Sequence, residues 1–260
     1  MTEARQRWRI VFGRDEEARY LAHLDAVRLW ERAFRRAGIP IASSEGFSPR
    51  PKLVFGAPLP LGMLAEHELA DLFLSERLTR ADVRTRLAEA MPRGYRLIDL
   101  ADEWVGAPAL ATQLTVADYR LTLLGAAADR LGGAVDRLLA AESLPRERLR
   151  EKKVARYDLR PLLLELKASP ADAPDGGPVA LVWMRLRHSQ ERGTGRPEEV
   201  VAALADALGM AVAPAGPAEA EESGPGGEAK PDQVAREGEA LEIAAPVRER
   251  LWLVEELGPV

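Results

Sequence analysis

Apolar and polar positions along the first hundred residues change period several times. Trp8–Gly13 is β-branched and aromatic, the composition of a strand. From Leu21 to Ala37 the apolar residues Leu24, Val27, Trp30 and Phe34, with Ala26, Leu29, Ala33 and Ala37, recur at helical spacing. Gly38 and Pro40 end that helix, since glycine takes the left-handed conformation and proline bars continuation. Ile39–Ala42 predicts a short strand, and Ser43–Gly62 a long loop with a second short strand at Leu53–Gly56. His67–Leu74 alternates as a strand. Thr79, with Asp82 three residues on, predicts the capped start of a helix reaching Met91. Tyr95–Leu100 reads as a closing strand.

The second half repeats the theme. Thr115–Leu124 predicts a strand, Ala128–Ala141 a helix, Arg150–Lys167 basic extended chain and Val179–His188 a strand. Pro197 suits the first turn of a helix running to Leu208, with Gly209 as its stop. Residues 212–240 are rich in Ala, Pro, Gly and Glu with little to bury, and predict a disordered insertion. Leu241–Val254 returns as a last strand. This order predicts an α+β fold of two tandem ferredoxin-like (split βαβ) halves with antiparallel sheets. The expected division is an N-terminal domain over 1–103, a connector over 104–112 and a second domain over 113–260.

Composition narrows the chemistry. The 260 residues include no cysteine, which excludes disulfides, thiol catalysis and any Cys-ligated zinc or iron–sulfur cluster. With three histidines, His23, His67 and His188, a His-rich metal site is not expected either, although a carboxylate-held magnesium needs only one or two protein ligands. The expectation is no metal and no cofactor in this chain. No apolar run approaches the roughly 20 residues of a membrane span, and the N-terminus has no signal-peptide pattern. A cytoplasmic protein without a membrane partner is expected.

Charge is unevenly spread. The net is −5, yet residues 1–60 carry eleven Lys/Arg against seven Asp/Glu, and 145–167 eight against four. Such basic islands either serve a phosphate-rich partner or are solvated surface.

Two segments stand out as candidate binding surface. Ser43–Gly62 holds Gly46, Gly56 and Gly62 with Pro49, Pro51, Pro58 and Pro60, so it should be stiff and sharply bent. Ser44, Glu45, Arg50 and Lys52 are its polar groups to aim at a ligand, and Phe47 with Phe55 its apolar patch for a partner; the alternative is a core-capping connection. In the helix before it, Arg28, Arg32, Arg35 and Arg36 fall on one face, a stripe fit for phosphates. The alternative is a solvated face in which Glu31 pairs Arg35. His23 and Asp25 precede the stripe but lie roughly 200° apart around the helix, so they cannot converge on one atom. In the second half, Asp158 and Arg160 share a face of extended chain as a candidate pair. GxGxxG, GxxxxGK[ST] and GxSxG are absent, and no nucleophile–base constellation stands out. His67, between Glu66 and Glu68, reads as part of a solvated cluster.

The ordered run Tyr20-Leu-Ala-His23-Leu-Asp25, Arg28, Arg35-Arg36-Ala-Gly38-Ile-Pro40, Ser44-Glu45-Gly46-Phe47-Ser-Pro49-Arg50-Pro51-Lys52, Phe55-Gly56 and Leu59-Pro60-Leu-Gly62 resembles the signature of the radical-SAM-linked domain family. Tyr157-Asp158-Leu-Arg160-Pro161 and Gly193-Thr-Gly195-Arg196-Pro197-Glu198-Glu199 extend the resemblance over most of residues 7–208. The chain departs from it at Ser48-Pro49-Arg50-Pro51, where members commonly read Asn-Pro-His-Pro, so a role needing imidazole there does not carry over, whereas an anion-binding role does. The resemblance implies an accessory or substrate-recognition module partnered by a separate radical SAM enzyme, and it supplies no catalytic residue. RNA binding through the basic helix and rigid loop is the alternative. The two readings merge if the partner enzyme modifies RNA.

Overall fold

The computed structural model describes residues 3–44, 47, 49–150, 153–171, 178–213 and 240–257. In chain order the elements are β1 (Gln6–Arg14), α1 (His23–Arg36), β2 (Leu53–Phe55), β3 (Leu64–Leu74), α2 (Arg80–Ala90), β4 (Tyr95–Glu103), α3 (Leu110–Gln113), β5 (Leu114–Leu124), α4 (Ala128–Ala140), β6 (Pro145–Arg150), β7 (Lys153–Asp158), β8 (Leu163–Pro170), β9 (Val179–Ser189), β10 (Gly193–Thr194), α5 (Pro197–Leu208), β11 (Ala211–Val212), β12 (Ala240–Ile243), β13 (Val247–Leu253) and α6 (Val254–Leu257). This is an α+β protein with antiparallel and mixed strand pairing. Contacts divide it into two compact units, 1–115 with 247–260, and 116–246.

In the first unit β4, β1, β3 and β2 pair in that order, each antiparallel to its neighbour, with Ile10 opposite Leu100 and Ala70, and Leu53 opposite Leu72. Alternation along β1 sends Trp8, Ile10 and Phe12 to the helix-covered face. There they meet Ala26, Trp30, Ala33 and Phe34 of α1 with Val83 and Leu87 of α2. Trp30 is the hub, its ring edge-on to Phe12 at 4.7 Å, Phe55 at 5.1 Å and Tyr95 at 5.3 Å. Thr79 caps α2 as expected, its hydroxyl oxygen accepting from the Asp82 amide at 3.2 Å.

The opposite face of β1 carries Arg7 and Arg9, both buried around Asp71 of β3. The segment expected as a connector covers this face: Arg7 donates to the carbonyls of Ala107 at 2.7 Å and Pro108 at 2.9 Å. The C-terminal strand also departs from the expected division. β13 pairs in parallel with the first half of β3, Arg248 opposite Ala65, and so belongs with the first unit. Hydrophobic pattern alone marks 241–254 as extended chain but does not say which strand it joins. Ile39–Ala42 forms no named strand; Ile41 makes one isolated bridge to Leu74.

In the second unit the order is β12-β5-β9-β8, again antiparallel, with Tyr119 opposite Met184 and Leu166 opposite Met184 on its other side. A hairpin of β6 and β7 is inserted between α4 and β8. Helix α5 starts at Pro197 and stops at Gly209, whose φ of 67° is the left-handed conformation. Most of the insertion expected at 212–240 lies outside the described residues, and Val212 is in β11.

Candidate functional site

Helix α1 buries Ala26, Trp30, Ala33 and Phe34, which turns Arg28, Arg32, Arg35 and Arg36 outward along the opposite side. All four are exposed, and Leu24, also exposed, lies on the same side at the helix start. Arg28 touches Asp25 at 3.4 Å, a surface contact of little strength. Among the described residues no carboxylate lies in ion-pair range of Arg32, Arg35 or Arg36, and the expected Glu31–Arg35 pair does not form. Arg35 and Arg36, in the last turn, also oppose the negative end of the helix dipole.

His23 does not share this surface. It is half-buried and edge-on to Phe55 at 5.7 Å, and burial holds its imidazole below the ordinary value. It borders a crevice of about 20 Å³ lined by Phe12, Arg14, Glu68 and Tyr95, room for a single water. Around that crevice, three arginines hold the second half of the Gly/Pro loop by its carbonyl groups. Arg14 donates to Pro60 at 2.6 Å and to Met63, Arg19 donates to Gly62 at 2.7 Å, and Arg248 donates to Pro58 at 3.3 Å and Ala57 at 3.4 Å. Arg248 is in turn bound by both oxygens of buried Glu68. Desolvation lowers the Arg14 pKa, partly countered by the Tyr95 hydroxyl and Glu68. Prolines offer no N–H to one another, so these guanidiniums satisfy the carbonyls of a tightly turned segment. The consequence is a rigid internal brace.

The two ends of the first half of the loop are tied together. Ser43 bridges Pro51, the Ser44 amide donates to the Arg50 carbonyl at 2.8 Å, and the Arg50 amide donates back to the Ser44 hydroxyl at 3.0 Å. Ser44 is thus occupied in closing the turn, while the Arg50 side chain is exposed. Phe47 is fully exposed, whereas Phe55 packs into the aromatic core, so the two do not form one patch. Lys52 spreads over the Phe73 ring at 4.4 Å. Glu45 lies outside the described residues.

Asp158 and Arg160 are each tied to backbone rather than paired in a site. The Asp158 carboxylate accepts from the amides of Leu144 at 2.7 Å and Arg160 at 2.9 Å, which holds its pKa below the usual carboxylate range. Arg160 donates to the carbonyls of Leu139 at 3.0 Å, Ala141 at 3.2 Å and Leu163 at 2.8 Å, closing the end of α4. The neighbouring Tyr157 hydroxyl is pushed up to about 12, by burial first and by Glu199 second. Tyr157 and Glu199 come from the two short motifs at 157–161 and 193–199, which therefore meet. Gly195 belongs to the same packing: a side chain there would press on Leu186 at 3.1 Å and the Leu162 carbonyl at 3.2 Å.

One feature escaped the sequence pattern. A groove of about 640 Å³ runs beside the arginine stripe, walled by Leu29, Ala33 and Ala37 on one side and Ala90 and Met91 on the other. Arg36 and Arg93 stand at it with a single carboxylate, Glu89. Its signal in the sequence is a row of small residues on α1 beside Arg36, uninformative until the partner wall is known. His67 and Glu68 also separate, His67 exposed and Glu68 buried, so no solvated Glu-His-Glu cluster exists. Among the described residues no group of three or more His, Asp or Glu side chains is placed to hold a metal ion, and no helix is long and apolar enough to cross a membrane.

A family model described as "Uncharacterized protein conserved in bacteria (DUF2344)" matches residues 7–197. No curated protein matches the chain. Among solved structures, the chain is similar to a crystal structure of a Cbf5–Nop10–Gar1 complex at 8% identity and a TM-score of 0.46, covering 93% of this chain and 49% of that one. An archaeal box H/ACA sRNP Nop10–Cbf5 complex matches at 9% identity and a TM-score of 0.42, with 93% and 48% covered. The chain thus spans about half the length of these structures.

Proposed function

This chain belongs to the conserved bacterial family DUF2344, and from that premise and the geometry of α1 we propose that it is a recognition module that binds RNA and serves an enzyme carried on another polypeptide. The observation that carries the RNA reading is the face of α1: Arg28, Arg32, Arg35 and Arg36 exposed in one row, three of them without a carboxylate in range among the described residues. Unpaired guanidiniums spaced along a rigid rod bind phosphate oxygens with little reorganisation. The partner enzyme is a radical SAM protein, and this chain acts in the cytoplasm without a cofactor of its own. What supports the partner is the ordered resemblance from Tyr20 to Gly62, and the brace of Arg14, Arg19 and Arg248 gives the end of that segment, from Ala57 on, a rigid presentation. In the same reading both units are variants of one split-βαβ plan, supported by the equivalent orders β4-β1-β3-β2 and β12-β5-β9-β8.

The RNA reading is tested by fluorescence anisotropy with labelled RNA oligonucleotides and the R28Q/R32Q/R35Q/R36Q protein. Loss of at least tenfold in affinity, with the far-UV spectrum unchanged, is the expected result. Equal binding by the two proteins would move the interface away from α1. The partner is tested separately, by nuclease-resistant co-purification with a radical SAM protein from the same cells.

A further inference from the structure

The groove beside the stripe has dimensions a phosphate-binding face does not need. Its volume of about 640 Å³ falls within the range of small-molecule sites. Leu29, Ala33, Ala37, Ala90 and Met91 give it apolar walls, and Arg36, Glu89 and Arg93 give it polar surface of similar extent, so the groove offers both kinds of contact. Arg36 belongs to both features: it ends the outward stripe and lines the groove. Arg93 stands at the same groove, exposed, with no carboxylate in ion-pair range among the described residues. An occupant that suits this arrangement has a flat apolar body and an anionic group attached to it.

We propose that the groove takes an unpaired base of a single-stranded RNA, while Arg36 and Arg93 hold the phosphates on either side of it and Arg28, Arg32 and Arg35 track the strand beyond. The inference rests on the RNA reading above and adds the strandedness of the ligand. A duplex keeps its bases stacked inside and offers only its phosphates, so it can use the stripe but cannot fill the groove. A single strand can use both, because an unstacked base exposes an apolar face to the groove walls while its flanking phosphates reach the two guanidiniums. Glu89 opposes the phosphates rather than the base, and two arginines outweigh it.

The test is anisotropy with a labelled single-stranded 12-nucleotide RNA and the same sequence annealed into a duplex. The proteins are the full chain, A37L/A90L, R93Q and R28Q/R32Q. The leucines fill the groove without adding charge or an aromatic ring, and Arg93 is exposed, so R93Q reports on the groove even if the filled variant folds poorly. The wild-type protein should prefer the single strand, and A37L/A90L and R93Q should each weaken single-strand binding by about tenfold while duplex binding changes little. Equal affinity for the two RNAs, or undiminished single-strand binding by both groove variants, overturns the groove assignment. R28Q/R32Q separates the two claims: if it weakens both RNAs while the groove variants weaken neither, the phosphate face stands and the base site falls. If neither RNA binds and an Asp/Glu-rich peptide does, the groove belongs to an acidic protein segment and both claims fail.

Discussion

Asp71 shows how a single side chain can anchor one face of a sheet. It receives Arg7 at 2.5 Å and Arg9 at 3.0 Å, with all three side chains almost fully buried. Burying such charges is costly, and the pairing is only as good as its geometry and its remaining hydrogen bonds. Arg7 completes its set on Ala107 and Pro108, and Arg9 reaches Glu103 at 3.4 Å. Replacing Asp71 by Ala strands two guanidiniums in the interior and should cost about 3–5 kcal/mol, read from the urea midpoint. A cost within 1 kcal/mol would mean the arginines reach water when freed. His23 gives a second test. Its folded pKa is held below the ordinary imidazole value of about 6.5, so the unfolded chain binds the proton more readily. Its contribution to stability is therefore intact above that value and declines as pH falls toward the lowered folded pKa. The H23Q protein should show a flatter stability profile across that window, and an NMR titration should find the His23 midpoint below 6.5; a midpoint at or above 6.5 contradicts the assigned burial.

At the scale of elements, the local signals that were legible are those with local causes. The cap at Thr79, the stop at Gly209 and the outward arginine stripe all follow from a few neighbouring residues, and each is present. The Gly/Pro loop was legible as stiff but not in its purpose. Its carbonyl partners Arg14 and Arg248 lie far away in sequence, the latter about 190 residues from the loop, and no local pattern links them. The same distance hid the pairing of β13 with β3 and the burial of Glu68, whose neighbours Glu66 and His67 suggest surface. Asp158 and Arg160 looked like a pair because strand spacing puts them on one face, but the chain turns into a short 3₁₀ helix at Arg160 and each finds backbone instead. The brace makes a prediction at this scale. In R248M the amides of Gly56 and Gly62 should exchange hydrogen faster, while that of Ile10 in the sheet centre keeps its protection. Uniform acceleration would mean Arg248 supports the whole unit rather than the loop.

For the whole molecule the net charge of −5 argues against indiscriminate attraction to nucleic acid, so binding must come from locally concentrated charge. The first 60 residues supply it, with eleven basic residues, four of them on one helix face. A basic helix face on an acidic chain has a further consequence: association should be steered to that face and weaken steeply with salt. The most direct test of this account is the slope of log K against log salt for single-stranded RNA, compared between the wild-type protein and R28Q/R32Q/R35Q/R36Q. If those four side chains neutralise four phosphates, the variant's slope should be shallower by about 3, at roughly 0.7 per contact. Parallel lines for the two proteins would show that α1 does not hold the strand and would contradict the central claim.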